Sequence, residues 1–466
     1  MELRAKSTQS QRIVNPNRQY NLWLYYVLLF VITCVGIAYG YYFSDVHFPS
    51  EKAFWVETLL NLAKMCWLIP FPYAILNFYA FIRYPVFVDA PQINVKPLDV
   101  TLYFRYVTRG NNPKLIAETV EASYRILEAS LSFAQWRIEV VSDNPLLLND
   151  YEGQVEVIVV PQDFITEKGA KYKARALHYA MDVSNATDED WVIHLDEETQ
   201  FDRKTVQQIH VFVMEERRRL KHQHDSLPKI GQGVIIYGKR QIVNWLTTLA
   251  DSLRVGDDYG RFRLQYEYGK ANMGIHGSFI VINNGLERTI GFDHGPMSSI
   301  TEDAYFALVA QNMGVKFGFI HAFMYEKSPF TIMDFIKQRH RWFGGLWLCA
   351  LAPDIPLRHR YILITFMTMW SLSWLCIVMV FINLVYPTGT PAWLAIIGGI
   401  SFFYYVTLYL IGFFRTFEVK DGLARFIVLM ILQVVLIPVF STMESIGVIY
   451  GLVKPPKGFY IVQKEI

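Results

Sequence analysis

Cysteine and net charge are both scarce in this chain. Four cysteines occur among its 466 residues, none in a Cys-x-x-Cys pair, and the formal net charge at pH 7 is only +2. Without paired cysteines, neither a disulfide framework nor a cysteine-ligated zinc site is expected. Without an excess of basic residues, nucleic acid is not an expected partner.

Charged residues are also few, and long uncharged runs take their place. Hydrophobic residues make up 52% of the chain, which is too apolar for a soluble enzyme of this length. A helix that crosses a bilayer needs roughly 20 mostly apolar residues. Such runs lie at 22–43, 65–82, 361–386, 392–414 and 426–452. We therefore predict a multi-pass membrane protein. Its last run either crosses once, which would leave the C-terminal tail in the lumen, or is bent or re-entrant and returns to the cytosol; Pro438 and Glu444 inside it favour the second.

Basic residues beside these runs set the predicted orientation. Four basic residues precede the first run and Arg83 follows the second, whereas the loop 387–391 carries no charge. Because Lys and Arg accumulate on the cytosolic side, we expect a cytosolic tail (1–20), an N-terminal transmembrane pair (21–96) and then a cytosolic domain. The sequon at Asn185 lies in that domain and would stay unmodified.

The middle of the chain has the pattern of an α/β domain. Strand-like runs lie at 98–108, 136–143, 155–161 and 190–198, with a helical pattern at 112–130. Alternating strands and helices predict a parallel sheet flanked by helices. Ligands bind such sheets beyond the carboxyl ends of the strands. Thr108, Arg109, Asp143 and the acids 196–198 occupy those ends.

Acidic and basic residues near the fourth strand-like run each allow two interpretations. On an extended backbone, Asp196, Glu198 and Gln200 would face the same way, and their oxygens suit Mg²⁺ or Mn²⁺ shared with a diphosphate. A solvated acidic loop is the alternative. Lys173 and Arg175 begin a helical pattern and would either hold a phosphate or form a solvated basic face.

The stretch 301–314 also has two interpretations. Thr301 precedes an apolar helical run as an N-cap would, with Glu302 and Asp303 in the first turn. The same acids would serve as a carboxylate base at a helix start.

The stretch 336–345 combines charge and a large aromatic residue at the edge of an apolar run. Gln338, Arg341 and Trp342 fall on one face of a predicted helix. Arg341 suits phosphate oxygens, and Trp342 suits a sugar ring or a lipid boundary. An amphipathic helix on the membrane surface gives the same pattern, and Arg339 and His340 are expected to meet headgroups.

Together these motifs resemble the membrane-embedded inverting glycosyltransferases of family two, which include the cellulose, chitin and hyaluronan synthases. Asp-x-Asp corresponds to 196–198, Thr-Glu-Asp to 301–303 and Gln-x-x-Arg-Trp to 338–342, and 459–464 resembles a gating-loop motif with Val462 where Thr is usual. The stretches 243–260, 269–284 and 301–314 are most similar to the egghead-type β-1,4-mannosyltransferases of animals.

The resemblance implies an α/β fold and a domain order. A cytosolic GT-A domain, Rossmann-like and binding a nucleotide sugar, would occupy 97–325 between transmembrane helices. An amphipathic interfacial helix with the Gln-x-x-Arg-Trp motif would follow (326–352), then a C-terminal transmembrane region (353–453) and a cytosolic gating-loop-like tail (454–466). The implied location is the Golgi or endoplasmic reticulum membrane.

The resemblance also implies a reaction in glycosphingolipid biosynthesis. Relatives transfer mannose from GDP-mannose to the glucose of glucosylceramide, with inversion and a β-1,4 linkage, and Mn²⁺ or Mg²⁺ would assist. The implied partners are GDP-mannose, the glycolipid acceptor and the lipid bilayer. Asp303 would be the base and Glu302 would support it.

The remaining site residues follow from the same resemblance. At the nucleotide sugar we expect Thr108, Arg109, Asp143, Lys173, Arg175, Asp196, Gln338 and Arg341. At the metal we expect Asp196, Glu198 and, from a spacing that resembles soluble dolichyl-phosphate mannose synthases, Gln200. At the acceptor we expect Trp342, His276, Gly277 and Ser278.

Two other functions stay open from the residues. A processive β-polysaccharide synthase that uses a UDP-sugar would make polymer, and would favour more spans than the runs that follow 325 provide. A transporter or scaffold with a degenerate domain would keep its activity when Asp303 is replaced by Asn.

Overall fold

The structure is a computed structural model that describes residues 16–49, 51–88, 96–130, 134–223, 225–238, 242–456, 458 and 460, with only the helical backbone described for 16–21. The predicted cytosolic tail therefore lies mostly outside the described residues. So does most of the gating-loop motif at 459–464, of which only Tyr460 is described.

Seven strands form one sheet within the described part of the chain. They are β1 (Thr101–Thr108), β2 (Gln135–Ser142), β3 (Val155–Val159), β4 (Trp191–Asp196), β5 (Ile230–Tyr237), β6 (Ile280–Asn283) and β7 (Phe317–Glu326). Their order is β3-β2-β1-β4-β6-β5-β7, and only β6 runs antiparallel to its neighbours. The α/β prediction is confirmed, but the sheet is mixed because β6 runs antiparallel between β4 and β5.

Sixteen α-helices accompany the sheet in the described residues. They are α1 (Pro16–Tyr42), α2 (Phe54–Lys64), α3 (Phe71–Arg83), α4 (Pro113–Glu128), α5 (Tyr172–Val183), α6 (Arg203–His222), α7 (Trp245–Asp257), α8 (Arg263–Glu267), α9 (Asn284–Ile290), α10 (Glu302–Asn312), α11 (Ile332–Ala350), α12 (Leu357–Leu372), α13 (Trp374–Val385), α14 (Ala392–Thr416), α15 (Leu423–Val435) and α16 (Ile437–Val453). A π-helical turn, Asp258–Phe262, joins α7 to α8.

Helices cover both faces of the sheet because their apolar residues recur at helical spacing. On one face, Ile116 and Val120 of α4 and Ile209 of α6 pack on β1 and β4. On the other face, Leu177 of α5 and Phe306 of α10 pack against β4 and β6. The sheet is thus buried between two apolar layers, and only its edges are left for a site.

Four helical segments in the described residues are long and apolar enough to cross a bilayer: Leu22–Tyr42, Phe54–Arg83, Leu357–Val385 and Ala392–Thr416. The second is longer than the predicted run 65–82, since α2 precedes it. The pair α15 and α16 is bent by 53°. Pro438 stands in the first turn of α16 and has no N–H to continue a helix, so the predicted bend in this run is confirmed.

Helix α14 joins the long apolar helices to the sheet domain. Gly412 of α14 faces the Ser252 carbonyl of α7, and Gly256 of α7 faces the Leu408 carbonyl of α14. A Cβ at either glycine would collide with the opposite backbone. Such close contact between small residues is typical of helices that pack tightly in membranes, and here it holds the sheet domain close to the apolar helices.

Candidate active site

A cavity of about 1550 Å³ starts at the carboxyl edge of the sheet and continues between the apolar helices that are long enough to cross a bilayer. Its lining includes Thr108, Arg109, Asp143, Lys173, Asp196, Glu198, His276, Gly277, Ser278, Glu302, Asp303, Gln338, Arg341 and Trp342. The structure therefore brings together all the predicted site residues except Arg175 and Gln200, which do not line this cavity.

Parallel pairing explains why the strand-end residues meet. Thr108 is opposite Ser142 in the β1–β2 register, and Asp196 is opposite Val107 in the β1–β4 register. Their side chains therefore reach the same edge of the sheet. The Thr108 hydroxyl donates a hydrogen bond to Glu197, the acid between the two predicted metal ligands.

Arg175 stands behind the cavity and supports a residue that lines it. Its guanidinium donates to the Asp143 carboxylate at 2.5 Å and to the carbonyls of Pro161 and Phe164 at 3.1 and 3.2 Å. A role for Arg175 at the nucleotide stays a prediction, and it would act through Asp143 in this arrangement.

The backbone turns directly after Asp196. The Thr199 N–H donates to the Asp196 carbonyl at 2.9 Å, and Gln200 then pairs with Tyr325 through two backbone hydrogen bonds of 2.9 and 2.7 Å. The premise of an extended backbone that turns Asp196, Glu198 and Gln200 the same way is therefore wrong. Glu198 still lines the cavity beside Asp196, and the metal roles of all three stay predictions.

Lys173 links the acids from two parts of the chain. Its ammonium lies 2.5 Å from Asp196, 2.7 Å from the Gly277 carbonyl and 3.8 Å from Glu302. Burial alone would lower the pKa of Lys173, but the nearby carboxylates of Asp196 and Glu302 more than offset this and raise it. The side chain is thus a fixed positive charge among carboxylates.

Glu302 and Asp303 begin α10 beside that charge. Burial, reinforced by the charge of Asp303, raises the pKa of Glu302 to about 7. Burial also raises the pKa of Asp303, although its hydrogen bond from Ala304 and the charge of Lys173 partly oppose this. The pKa of Glu302 therefore lies close to neutral and that of Asp303 is raised above its ordinary value, which suits a general base.

The helix-cap interpretation of this motif holds only in part. Thr301 occupies the N-cap position, but its side chain makes no capping hydrogen bond, and its hydroxyl lies 3.3 Å from the Cys349 sulfur. The first-turn acids do favour the helix start. Gly277 faces them: a Cβ there would lie 3.1 Å from Asp303 and 3.4 Å from Glu302, so glycine lets the acceptor-side segment come close.

Helix α11 turns Gln338, Arg341 and Trp342 into the cavity, as its predicted face requires. Burial lowers the pKa of Arg341, against the opposing effect of Glu302 and Asp303. The guanidinium remains charged because its ordinary pKa is far above neutral.

The ring of Trp342 is already in contact with two cations. The guanidinium of Arg254 lies over it at 4.1 Å and that of Arg339 at 4.4 Å from the ring centroid. Cation–π contacts of this kind hold an aromatic ring in place. Stacking of an acceptor sugar on Trp342 stays a prediction.

The expectation that Arg339 meets headgroups is wrong. Arg339 is 3% exposed and forms ion pairs with Asp251 at 2.6 Å and Glu444 at 2.8 Å. Helix α11 is packed between α7 and α16, so this face never reaches the surface. His340 is half-buried, bonds the Lys454 carbonyl at 2.6 Å and stacks on Tyr450.

The acceptor-side residues are held by partners that the sequence did not reveal. His276 Nε2 lies 2.5 Å from Asp258 Oδ1. Ser278 is buried and its hydroxyl lies 3.0 Å from that of Thr199. Asp258 lies in the stretch 243–260 that carries the family resemblance, but no local pattern assigned a role to it or to Thr199. Their acceptor roles stay predictions.

Glu326 is a further site residue that the sequence analysis missed. It ends β7 at the same edge as Asp196, and the Thr199 hydroxyl donates to it at 3.0 Å. Burial and the charge of Asp196 raise the pKa of Glu326 to about 7. The rule that strand ends carry ligands would have found it, had β7 been placed in the sheet.

The residues at this edge fit a divalent cation. Asp196, Glu198 and Glu326 bring carboxylate oxygens to the cavity, and burial, reinforced by the charge of Asp196, raises the pKa of Glu326. Among the described residues, no three His, Cys, Asp or Glu side chains form a complete metal-binding group. One or two of these carboxylates, together with substrate phosphates, are the ligand set that Mg²⁺ or Mn²⁺ commonly takes.

Known proteins resemble this chain at two levels. The solved structure of mannosyltransferase PcManGT from Pyrobaculum calidifontis in complex with GDP-Man and Mn²⁺ is 13% identical, with a TM-score of 0.47, and the match covers 85% of this chain and 100% of that one. That likeness is too weak to support a conclusion. A family model described as glycosyl transferase family group 2 matches residues 191–416.

Two curated relatives are much more similar. The chain is 35% identical over 414 residues to the β-1,4-mannosyltransferase egh of Drosophila melanogaster, with 88% of each chain covered. It is 34% identical over 418 residues to the β-1,4-mannosyltransferase bre-3 of Caenorhabditis elegans, covering 87% of this chain and 88% of the relative. The chain therefore belongs to the β-1,4-mannosyltransferase family of egh and bre-3, and is a glycosyltransferase of family group 2.

Proposed function

We propose that the enzyme transfers mannose from GDP-mannose to the glucose of a glucosylceramide-type glycolipid, with inversion at the anomeric carbon and a β-1,4 linkage. The carrying observation is that Glu302 and Asp303 lie with Lys173 and Arg341 in one cavity that continues between the membrane helices. The activity of the curated relatives supports the sugar and the linkage. The membrane side of the cavity supports a lipid acceptor.

Asp303 acts as the general base. It takes the proton from the acceptor hydroxyl, whose oxygen attacks the anomeric carbon on the face opposite the leaving diphosphate, and this inverts the configuration. General base catalysis contributes about 10²–10⁴-fold. Burial raises the pKa of Asp303, which increases the affinity of the base for the proton. Glu302 lies beside Asp303 and supports it.

Cationic side chains stabilise the leaving group. Negative charge collects on the diphosphate as the sugar bond breaks, and preorganised donors aimed at that charge are usually the largest catalytic contribution. Arg341, with Gln338 on the same helix face, would contact the diphosphate from the membrane side. Lys173 would contact it from the side of the sheet. A divalent cation, when bound at Asp196 and Glu198, would add Lewis-acid stabilisation of the same charge.

The nucleotide end of the site lies at the carboxyl ends of β1 and β2. Thr108, Arg109 and Asp143 line the cavity there. Asn144 holds the backbone at this point, since its amide donates to the Arg109 carbonyl at 2.7 Å. We assign these residues to the nucleotide because they are separated along the edge from the acids of α10.

The proposed location is the Golgi or endoplasmic reticulum membrane, with the sheet domain in the cytosol. The basic N-terminal tail and the uncharged loop 387–391 support this orientation. It also suits the acceptor, because glucosylceramide is made on the cytosolic leaflet.

The test is transfer of radiolabelled sugar in membranes that contain the enzyme. GDP-mannose, UDP-glucose and other nucleotide sugars are each offered with glucosylceramide, with Mn²⁺, with Mg²⁺ or with a chelator. We expect label from GDP-mannose only, one mannose per acceptor, loss with the chelator and loss in Asp303→Asn. Transfer from a UDP-sugar, a polymeric product, or full activity in Asp303→Asn would refute the proposal.

A further inference from the structure

The structure also points to where the lipid part of the acceptor binds. We propose that the membrane side of the cavity is a chamber for a hydrocarbon chain of the acceptor. We further propose that Tyr73, Asp257 and Arg261, at the entrance to this chamber, bind the polar amide and hydroxyl groups between chain and sugar. Both parts rest on the proposed function, since they require a glycolipid acceptor.

The size of the cavity requires more than a nucleotide sugar. Its volume of about 1550 Å³ exceeds the roughly 300–1,000 Å³ of an ordinary small-molecule site. The part beyond the active site lies between segments that are apolar enough to cross a membrane, Leu22–Tyr42, Leu357–Val385 and Ala392–Thr416. A second ligand therefore has room, and its surroundings are those of a bilayer interior.

The lining of the chamber is suited to a hydrocarbon chain. Apolar and aromatic side chains from four helical segments contribute to it, among them Phe43, Trp370, Ile377, Val380, Leu384 and Phe402. Burial of apolar surface against such walls drives binding without directional contacts. A chain with its sugar at Asp303 would extend from the active site into this space.

The entrance to the chamber carries a buried charge pair. Arg261 donates to both Asp257 oxygens at 2.8 and 2.7 Å, and the Tyr73 hydroxyl donates to Asp257 at 2.8 Å. The Arg261 guanidinium also lies 4.3 Å from the ring of Phe366, which lines the cavity. These three groups satisfy one another's hydrogen bonds, and all three line the cavity. The Tyr73 oxygen can still accept a hydrogen bond, which an amide N–H or a hydroxyl of the lipid would donate.

The far end of the chamber favours a chain of limited length over a growing polymer. Thr388 and Thr390 line that end, in the loop between α13 and α14. Lys64 is 1% exposed and donates to the Thr388 carbonyl at 2.8 Å and to both threonine hydroxyls at 2.9 and 2.8 Å. A polysaccharide leaving by this route would have to displace the fixed loop, whereas a lipid chain would end before it.

Gly398 gives a direct test of the chamber. It lines the cavity, and a Cβ built there meets no heavy atom within 4 Å. Gly398→Trp would fill the space without collision at its base, and Gly398→Ala is the matched control. We expect Gly398→Trp to raise the KM for long-chain glucosylceramide tenfold or more. The KM for GDP-mannose and transfer to a soluble aryl β-glucoside should stay at the wild-type level, and Gly398→Ala should match the wild type throughout.

A chain-length series and a crosslink make the test independent of one variant. With the wild type, KM should fall as the acyl chain of glucosylceramide lengthens, and Gly398→Trp should flatten that trend. A glucosylceramide with a diazirine near its chain end should label peptides of α13 or α14, and less so in Gly398→Trp. Labelling only outside these helices, or an unchanged KM for long-chain glucosylceramide in Gly398→Trp, would refute the proposal that this chamber holds the lipid chain.

The entrance has its own experiment. Tyr73→Phe removes one hydroxyl and keeps the ring. Glucosylceramide, which has the amide, is compared with a glucosyl diacylglycerol, which has esters instead. We expect the ratio of kcat/KM for glucosylceramide to kcat/KM for glucosyl diacylglycerol to fall several-fold in Tyr73→Phe. An unchanged ratio would show that the entrance residues do not select the acceptor. If the wild type transfers mannose to no glucoside at all, the proposed function fails, while the crosslink still reports on the chamber.

Discussion

The ammonium group of Lys173 lies 2.5 Å from the carboxylate of Asp196 and joins the strand-end acid to the acids of α10. Replacing Lys173 by Met would leave Asp196, Glu302 and Asp303 without this cation. We expect kcat to fall about 10²-fold, as for loss of one preorganised donor. The acidic limb of the pH profile should also move to higher pH, since the carboxyl pKa values would rise.

Lys171 provides the matched control for that variant. It lies two residues away, and its side chain is exposed. Lys171→Met should keep the wild-type kcat and pH profile. Equal losses in both variants would show a general effect of basic charge on this helix start.

The pH dependence of the reaction follows from the burial of Glu302 and Asp303. Their pKa values are raised, that of Glu302 to about 7. A base must be unprotonated, so kcat/KM should rise with pH as Asp303 and then Glu302, whose pKa is about 7, lose their protons, and then level off. Glu302→Gln removes the group with the pKa of about 7 and leaves Asp303 as the titrating acid of the pair. The rise should then occur at lower pH with part of kcat retained, and a limb that does not move would contradict this assignment.

Arg339 and Arg341 are separated by one residue, but replacing them should have different effects: loss of stability for Arg339 and loss of catalysis for Arg341. Arg339→Met would leave Asp251 and Glu444 without their partner, which costs about 3–5 kcal/mol for a buried pair. Arg341→Met should keep the melting temperature but reduce kcat about 10²–10³-fold. Thermal unfolding in detergent and sugar transfer, measured on the same preparations, separate the two. Similar losses of stability in the two variants would show that both arginines have a structural role.

The orientation in the membrane can be tested at Asn185. Its side chain is exposed and contacts only Glu156 at the surface, with hydrogen bonds of 3.0 and 3.3 Å. A domain in the lumen would therefore present this sequon to the glycosylation machinery. We expect no mobility shift after glycosidase treatment. A glycosylation tag inserted into the loop 44–49 should be modified, and glycan on Asn185 would reverse the orientation.

The parts of the site that follow from local patterns could be predicted from the sequence. Thr108, Asp143 and Asp196 each follow an apolar strand-like run, and parallel strands bring such ends to one edge. Acids before an apolar helical run marked Glu302 and Asp303 as either a helix cap or a base, and only the family resemblance implied the base. In both cases the backbone period alone decides where the side chain points.

The parts that depend on distant packing could not be predicted. Helical spacing predicts that Arg339 and Arg341 lie on different faces of α11. It does not predict that α7 and α16 cover the Arg339 face with Asp251 and Glu444. The alternation argument failed at Gln200 because a single turn after Asp196 breaks the period. Arg254 reaches the ring of Trp342 from α7, and nothing in either local stretch indicates this contact.

The glycine contacts between α7 and α14 limit how the enzyme can be truncated or its domains exchanged. Gly256 and Gly412 leave no space for a larger side chain opposite Leu408 and Ser252. A catalytic domain excised from the chain would expose this groove, and a chimera that exchanged the domain alone would set an unmatched helix against it. We therefore expect the smallest transplantable unit to be the domain together with α14, and a domain truncated before α14 to lose stability.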